Sequence, residues 1–170
     1  MPDLCDLILD EHEGFRRRFA ELDSLRAAAA APERLARVWG PLAEQLELHA
    51  SAEESVFYPH LLQEGKRGED ETTDAINDHN DIRDAIRQAA SEDTGAARWW
   101  EAVASARAAN SDHMAEEERE AIPDFRVSAP DAEREALGAA FVAYHDEHAG
   151  GRGLDTANKD TDAYLARHDA

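Results

Sequence analysis

A single cysteine, Cys5, is all the thiol the sequence offers, so no disulfide closes within the chain. No apolar stretch approaches the roughly 20 residues that cross a membrane. No basic leader with an apolar core is seen either, and the expected compartment is the reducing cytoplasm. Basic residues are few: 18 Lys and Arg stand against 38 Asp and Glu, for a net charge of −20. Such a surface repels phosphate, which argues against nucleic acid or anionic membrane as a partner. Solubility accounts for most of the acidic residues. Runs of β-branched residues are also scarce, glycine falls mainly in loops, and alanine supplies much of the apolar fraction. That mix predicts an all-α protein, and 170 residues suffice for one domain with a real core.

What the sequence does have is a motif that occurs twice. His12 is followed by His49, Glu53, Glu54 and Pro59; His79 is followed by His113, Glu117, Glu118 and Pro123. The flanks agree as well, since Leu9-Asp10-Glu11-His12-Glu13-Gly14-Phe15-Arg16 reads like Ile76-Asn77-Asp78-His79-Asn80-Asp81-Ile82-Arg83.

Apolar periodicity places these residues on helices. Leu4, Leu7, Ile8, His12, Phe15, Phe19 and Leu22 share one face of a first helix, from about Asp3 to Ala30. Pro32 suits the first turn of a second helix reaching to about Glu64, which Gly40-Pro41 is expected to kink or interrupt. Along it Leu42, Leu46, His49, Glu53, Val56 and Phe57 keep one face. Thr72 or Thr73 is expected to cap a third helix with Ile76, His79, Ile82 and Ile86 inward. A fourth helix from near Ala96 carries Trp99, Val103, Ala106, Asn110, His113 and Glu117 along one side. After Pro130 a fifth helix runs to about His148, and residues 150–170 read as a weakly ordered polar arm with one helical turn near Tyr164-Leu165. The domain therefore covers residues 1–149, with a core bundle over about 3–125 and an extra helix over about 130–148. The repeat pairs the helices as two hairpins, giving an antiparallel up-down four-helix bundle.

An i,i+4 pair puts two side chains on one helical face. His49 with Glu53, and His113 with Glu117, each present a nitrogen and a carboxylate to one cavity. A lone His on an apolar stripe is usually a hydrogen-bonded core residue. Buried glutamates are costly without a counter-charge, so four His and two Glu on inner stripes point to a two-metal site. Six protein ligands leave positions for a bridging oxo, hydroxo or water and for a small exogenous molecule. Glu54 and Glu118, next to the acids of the pairs, are candidates for outer partners of the ligand imidazoles. Arg16 and Arg83, each four residues after a lone His, read as surface or supporting charges, and His60 stands at helical spacing from Glu53. Tyr58 falls half a turn from His49, which argues against a ligand. His145 and His148 reach the site only if the fifth helix folds over it. Cys5 reads as a small core residue.

The series His…His-x-x-x-Glu…His…His-x-x-x-Glu, with Pro soon after each pair, resembles the hemerythrin-like HHE cation-binding domains over roughly residues 4–125. The resemblance implies a non-haem diiron four-helix bundle in which His12 and His49 hold one iron, His79 and His113 the other, and Glu53 and Glu117 bridge them. The oxygen-carrying members have a second His one turn after the helix-three ligand, where this chain has Arg83, and end on His-x-x-x-x-Asp where it has His113-x-x-x-Glu117. That departure favours reaction with, or sensing of, peroxide, dioxygen or nitric oxide over reversible oxygen carriage. Catalase- or peroxidase-like activity, an iron- or oxygen-binding module without turnover, and a bundle acting through protein contacts all remain open. So do monomer and homodimer, and manganese or zinc in place of iron. A ferritin-like site is excluded because no His has Glu three residues before it, and His-Glu-x-x-His of a zinc hydrolase is absent.

Overall fold

Asp3 starts the first helix by accepting the Cys5 N–H at 2.8 Å, satisfying one of the donors a helix leaves open at its start. The computed structural model describes residues 2–168, and all regular structure among them is helical. In chain order the helices are α1 (Leu4–Ala27), α2 (Pro32–Ala52), α3 (Tyr58–Glu64), α4 (Gly68–Ala90), α5 (Ala97–Arg119), α6 (Ala121–Ser128), α7 (Asp131–Glu147) and α8 (Thr161–His168). A π-helical turn over Glu53–Phe57 joins α2 to α3.

The apolar stripes pack into two clusters. The first takes the C-terminal half of α1 (Phe15, Phe19, Leu22), the start of α2 (Leu35, Trp39, Leu42), the end of α4 (Ile82, Ile86) and the start of α5 (Trp99, Val103). The second takes the opposite ends: Leu4 and Ile8 of α1, Phe57 and Leu61 after α2, Ile76 of α4, and Ile122 and Phe125 after α5. This alternation fixes the up-down-up-down order. The four helical paths form an antiparallel bundle, with a belt of buried polar residues between its two apolar clusters.

Two expectations about the bundle helices are corrected. α2 runs through Gly40-Pro41 without a break. Both residues lie on the exposed side, so the carbonyl that loses its N–H partner faces water while Trp39 and Leu42 hold the helix to the core. Helix α4 starts at Gly68, and Thr72 is fully buried inside it, not a cap. The turn before α4 is held instead by Asp124 of α6, whose Oδ2 accepts the Lys66 N–H at 2.6 Å.

Helix α7 does fold back over α1, α2 and the π turn. Arg134 Nε donates to Asp3 Oδ2 at 2.7 Å. Gly138 lets the chain before α1 cross it closely, since a Cβ there would lie 2.1 Å from the Pro2 carbonyl oxygen. The segment after residue 150 is more ordered than a free arm with one turn: α8 spans eight residues and buries Tyr164.

Candidate metal centre

Each bundle helix contributes its polar residues where its stripe passes between the two apolar clusters. His12, His49, Glu53, His79, His113 and Glu117 are all at most 2 % exposed. Ligand atoms of His12, His49, Glu53, His113 and Glu117 lie within 4.8 Å of one another. His79 adjoins them, with Nε2 3.3 Å from His113 Nε2 and 3.2 Å from Glu53 Oε2. The rings stand closest as His79 with His113, centroids 4.6 Å apart, and His12 with His49, 5.2 Å apart. The carboxylates span these pairs. Glu53 Oε1 is 3.0 Å from His49 Nε2 while its Oε2 faces His79. Glu117 Oε2 is 3.3 Å from His12 Nε2 and 3.5 Å from His113 Nε2.

The outward nitrogens explain why all four Nε2 atoms face in. Every Nδ1 has an acid beside it: His12 has Glu118 at 2.9 Å, His79 has Glu54 at 3.0 Å, His49 has Glu11 at 2.6 Å, and His113 has Asp78 at 3.9 Å. An acid at Nδ1 keeps a proton there and leaves the Nε2 lone pair for a metal. The repeat is visible in this arrangement. The Glu after each His-x-x-x-Glu pair reaches across to the lone His of the other half, and the acid before each lone His serves the pair of its own half. Glu118 and Glu54 are held in turn by arginines. Arg16 Nη2 donates to Glu118 Oε1 at 2.7 Å, and Arg83, fully buried, donates to Glu54 Oε2 at 2.9 Å.

Of the residues singled out from sequence, the six inner ones and Glu54, Glu118, Arg16 and Arg83 come together. His60 does not: its Nδ1 pairs with Glu133 Oε1 at 3.1 Å on the side of the bundle. Sequence spacing missed Glu11, Asp78 and Tyr58. The two acids had a signal, since an acid precedes the lone His in both copies. Tyr58 had none. A regular helix would turn it away from His49, but the π turn accommodates one extra residue and rotates it inward. Its hydroxyl donates to Glu117 Oε1 at 3.0 Å and Glu53 Oε2 at 3.2 Å and lies 3.4 Å from His79 Nε2. His145 of α7 also approaches, with Nδ1 3.4 Å from Glu11 Oε1.

Electrostatics follow from this crowding. Burial alone would lower the His49 pKa, but Glu53 and Glu11 outweigh it and hold the imidazole well above its usual value. Burial would raise Glu53, yet His49, His113 and His79 hold it well below. Burial and the neighbouring carboxylates push the Tyr58 phenol far up, so it stays neutral and donates. Burial raises Asp78 to about 6.

The donor set fits a metal. His12 Nε2, His49 Nε2, Glu53 Oε1 and Glu117 Oε2 are buried with no hydrogen bond. With the protons at Nδ1, imidazole and carboxylate lone pairs face each other, an arrangement that costs several kcal/mol unless positive charge lies between them. In the metal-free protein protons supply that charge; divalent cations supply it better. Four imidazole nitrogens and two carboxylate oxygens together form a mixed donor set suited to first-row divalent cations.

Among the described residues no helix is long and apolar enough to cross a membrane. No curated protein sequence and no solved structure matches the chain. The family model for the hemerythrin HHE cation binding domain matches residues 3–125, from the cap of α1 to the middle of α6. With most of its length and all six converging residues inside that match, the chain belongs to the hemerythrin HHE cation-binding family.

Proposed function

We propose that this protein is a non-haem diiron protein that reacts with or senses a small oxidant: peroxide, dioxygen or nitric oxide. The observation that carries this reading is the convergence of four imidazoles, three of them clamped by an acid at Nδ1, through Nε2 on two carboxylates that each touch both imidazole pairs. His12 and His49 would hold one iron, His79 and His113 the other, with Glu53 and Glu117 shared between them. An iron pair there supplies redox equivalents and Lewis acidity for reducing or binding the oxidant.

The chain's own residues do the rest. Glu11, Glu54 and Glu118 keep the imidazoles in one tautomer and orientation. Tyr58 holds its proton at Oη, 3.0 Å from Glu117, and can pass it toward a reacting group. A pocket lined by Ala75, Asp78 and Ala121 also touches His113 and Glu117. The lone, buried Cys5, whose pKa is pushed to about 11 by burial, is inert and suits a cytoplasmic setting.

Anaerobic loading with ferrous iron, followed by air or peroxide, is the test. Charge-transfer absorption at the violet edge of the visible range is expected. Gas evolved from peroxide identifies catalase-like turnover; a reversible spectral change with oxygen or nitric oxide identifies binding. No absorption change with two equivalents of iron removes the diiron reading. Elemental analysis of the native protein separates iron from manganese and zinc.

A further inference from the structure

The last described helix lies outside the family match, yet it is bonded to the helix that carries His79. Asn77, Asn80, Asp84 and Arg87 form one stripe of α4 at helical spacing, bordered by Arg83. Asn80 binds the backbone of Lys159 twice, donating to its carbonyl at 2.9 Å and accepting its N–H at 2.8 Å. Arg87 donates to the Thr156 carbonyl at 3.1 Å and to Asn158 Oδ1 at 2.6 Å. Asp84 accepts from Asn158, and Thr161 donates to Asn77.

The stripe delivers Tyr164 to a defect in the π turn. There the Tyr58 N–H bonds the carbonyl of Glu53, five residues back. The next bond in that register would run from residue 59 to the carbonyl of Glu54, but residue 59 is proline and has no N–H. The Glu54 carbonyl is therefore left without a helical donor, a costly state for a buried backbone group. The Tyr164 hydroxyl supplies the donor at 2.5 Å. The side chain of the same Glu54 accepts from His79 Nδ1 at 3.0 Å and from Arg83 at 2.8 Å. One residue thus stands between the tail and an inward-facing imidazole.

We propose that α8 is a built-in clasp of the metal centre: Tyr164 is a positioning residue that fixes Glu54, and through it His79, so that metal binding and tail docking strengthen each other. The proposal rests on reading the His/Glu cluster as a two-metal site. Coupling of this kind is reciprocal: whatever docking adds to metal affinity, metal adds to docking.

The experiment uses the full chain and ferrous iron under anaerobic conditions. Hydrogen exchange of residues 155–168 is compared between metal-free and iron-loaded protein, and iron affinity is measured against a chromogenic ferrous chelator. Loading is expected to slow exchange across the tail. Tyr164→Phe is expected to weaken one of the two iron equivalents about tenfold, the lower end of the effect of losing an outer partner of a ligand, and to leave the other unchanged. That split is not produced by a general loss of stability. Arg87→Ala, which loosens the tail far from Glu54, is expected to weaken the same equivalent and serves if Tyr164→Phe fails to fold. Tail exchange indifferent to iron, or wild-type affinity at both equivalents in either folded variant, overturns the clasp. If the wild type itself retains no iron, the metal reading falls first and the clasp with it.

Discussion

At the scale of single residues, the acids behind the imidazoles decide how the centre behaves. Glu11 reaches His49 Nδ1 at 2.6 Å, while the shorter Asp78 stops 3.9 Å from His113 Nδ1. Outer partners of this type are worth about 10–100-fold in metal affinity. Glu11→Ala is therefore expected to weaken metal binding by about that factor, and Asp78→Ala by distinctly less, as read by chelator competition on the two variants. The same residues give a pH dependence. The folded-state pKa of His49 lies well above its usual 6.5, so its contribution to stability is complete below 6.5 and is lost as the pH rises through the raised value. The folded-state pKa of Glu53 lies well below its usual 4.5, so its contribution is complete above 4.5 and is lost as the pH falls through the depressed value. Metal-free protein should thus be best supported by this pair between 4.5 and 6.5. Above that window its melting temperature should decline relative to the metal-loaded form, because metal replaces the imidazole protons. Thermal melts across pH with and without metal check this; parallel curves on the alkaline side contradict it.

At the scale of the element, the π turn sets one half of the bundle apart from the other. Position 58 carries Tyr, and its counterpart in the second copy, position 122, carries Ile. Only the first half therefore brings a hydroxyl to the carboxylates. Tyr58→Phe keeps the ring and removes that donor. It is expected to leave metal stoichiometry unchanged and to slow the proposed reaction with peroxide about 100-fold or more, the lower end of the range for losing a positioned proton donor; stopped-flow absorbance measures it, and an unchanged rate excludes Tyr58 from the chemistry. This element also marks the limit of what could be read from sequence. The stripes through His12, His49, His79 and His113 were legible because regular helices repeat every three to four residues. Tyr58 was not, because a π turn changes the register where periodicity assumes none. Glu11 and Asp78 lie one residue off the stripes and reach their partners through side-chain length. Pro41 does not interrupt α2, because its lost hydrogen bond faces water. The order in the tail was hidden because it depends on a polar stripe of α4, not on apolar periodicity.

At the scale of the whole molecule, two apolar clusters clamp a polar belt that neither could bury without charge compensation. The bundle holds the belt's residues in place, and the belt's unpaired lone pairs call for cations. Helix α7 covers the belt from one side, placing Phe141 against His49 with ring centroids 6.5 Å apart, and the tail fastens it from another. Any ion bound only by the folded state stabilises it by mass action, so a chelator should lower the melting temperature of protein purified with its metal. The most direct test of the central claim is the number of irons retained per chain after anaerobic loading and desalting. The wild type should keep two, and the Glu53→Ala, Glu117→Ala double variant should lose them. Fewer than two in the wild type, or two retained without both carboxylates, would contradict the account.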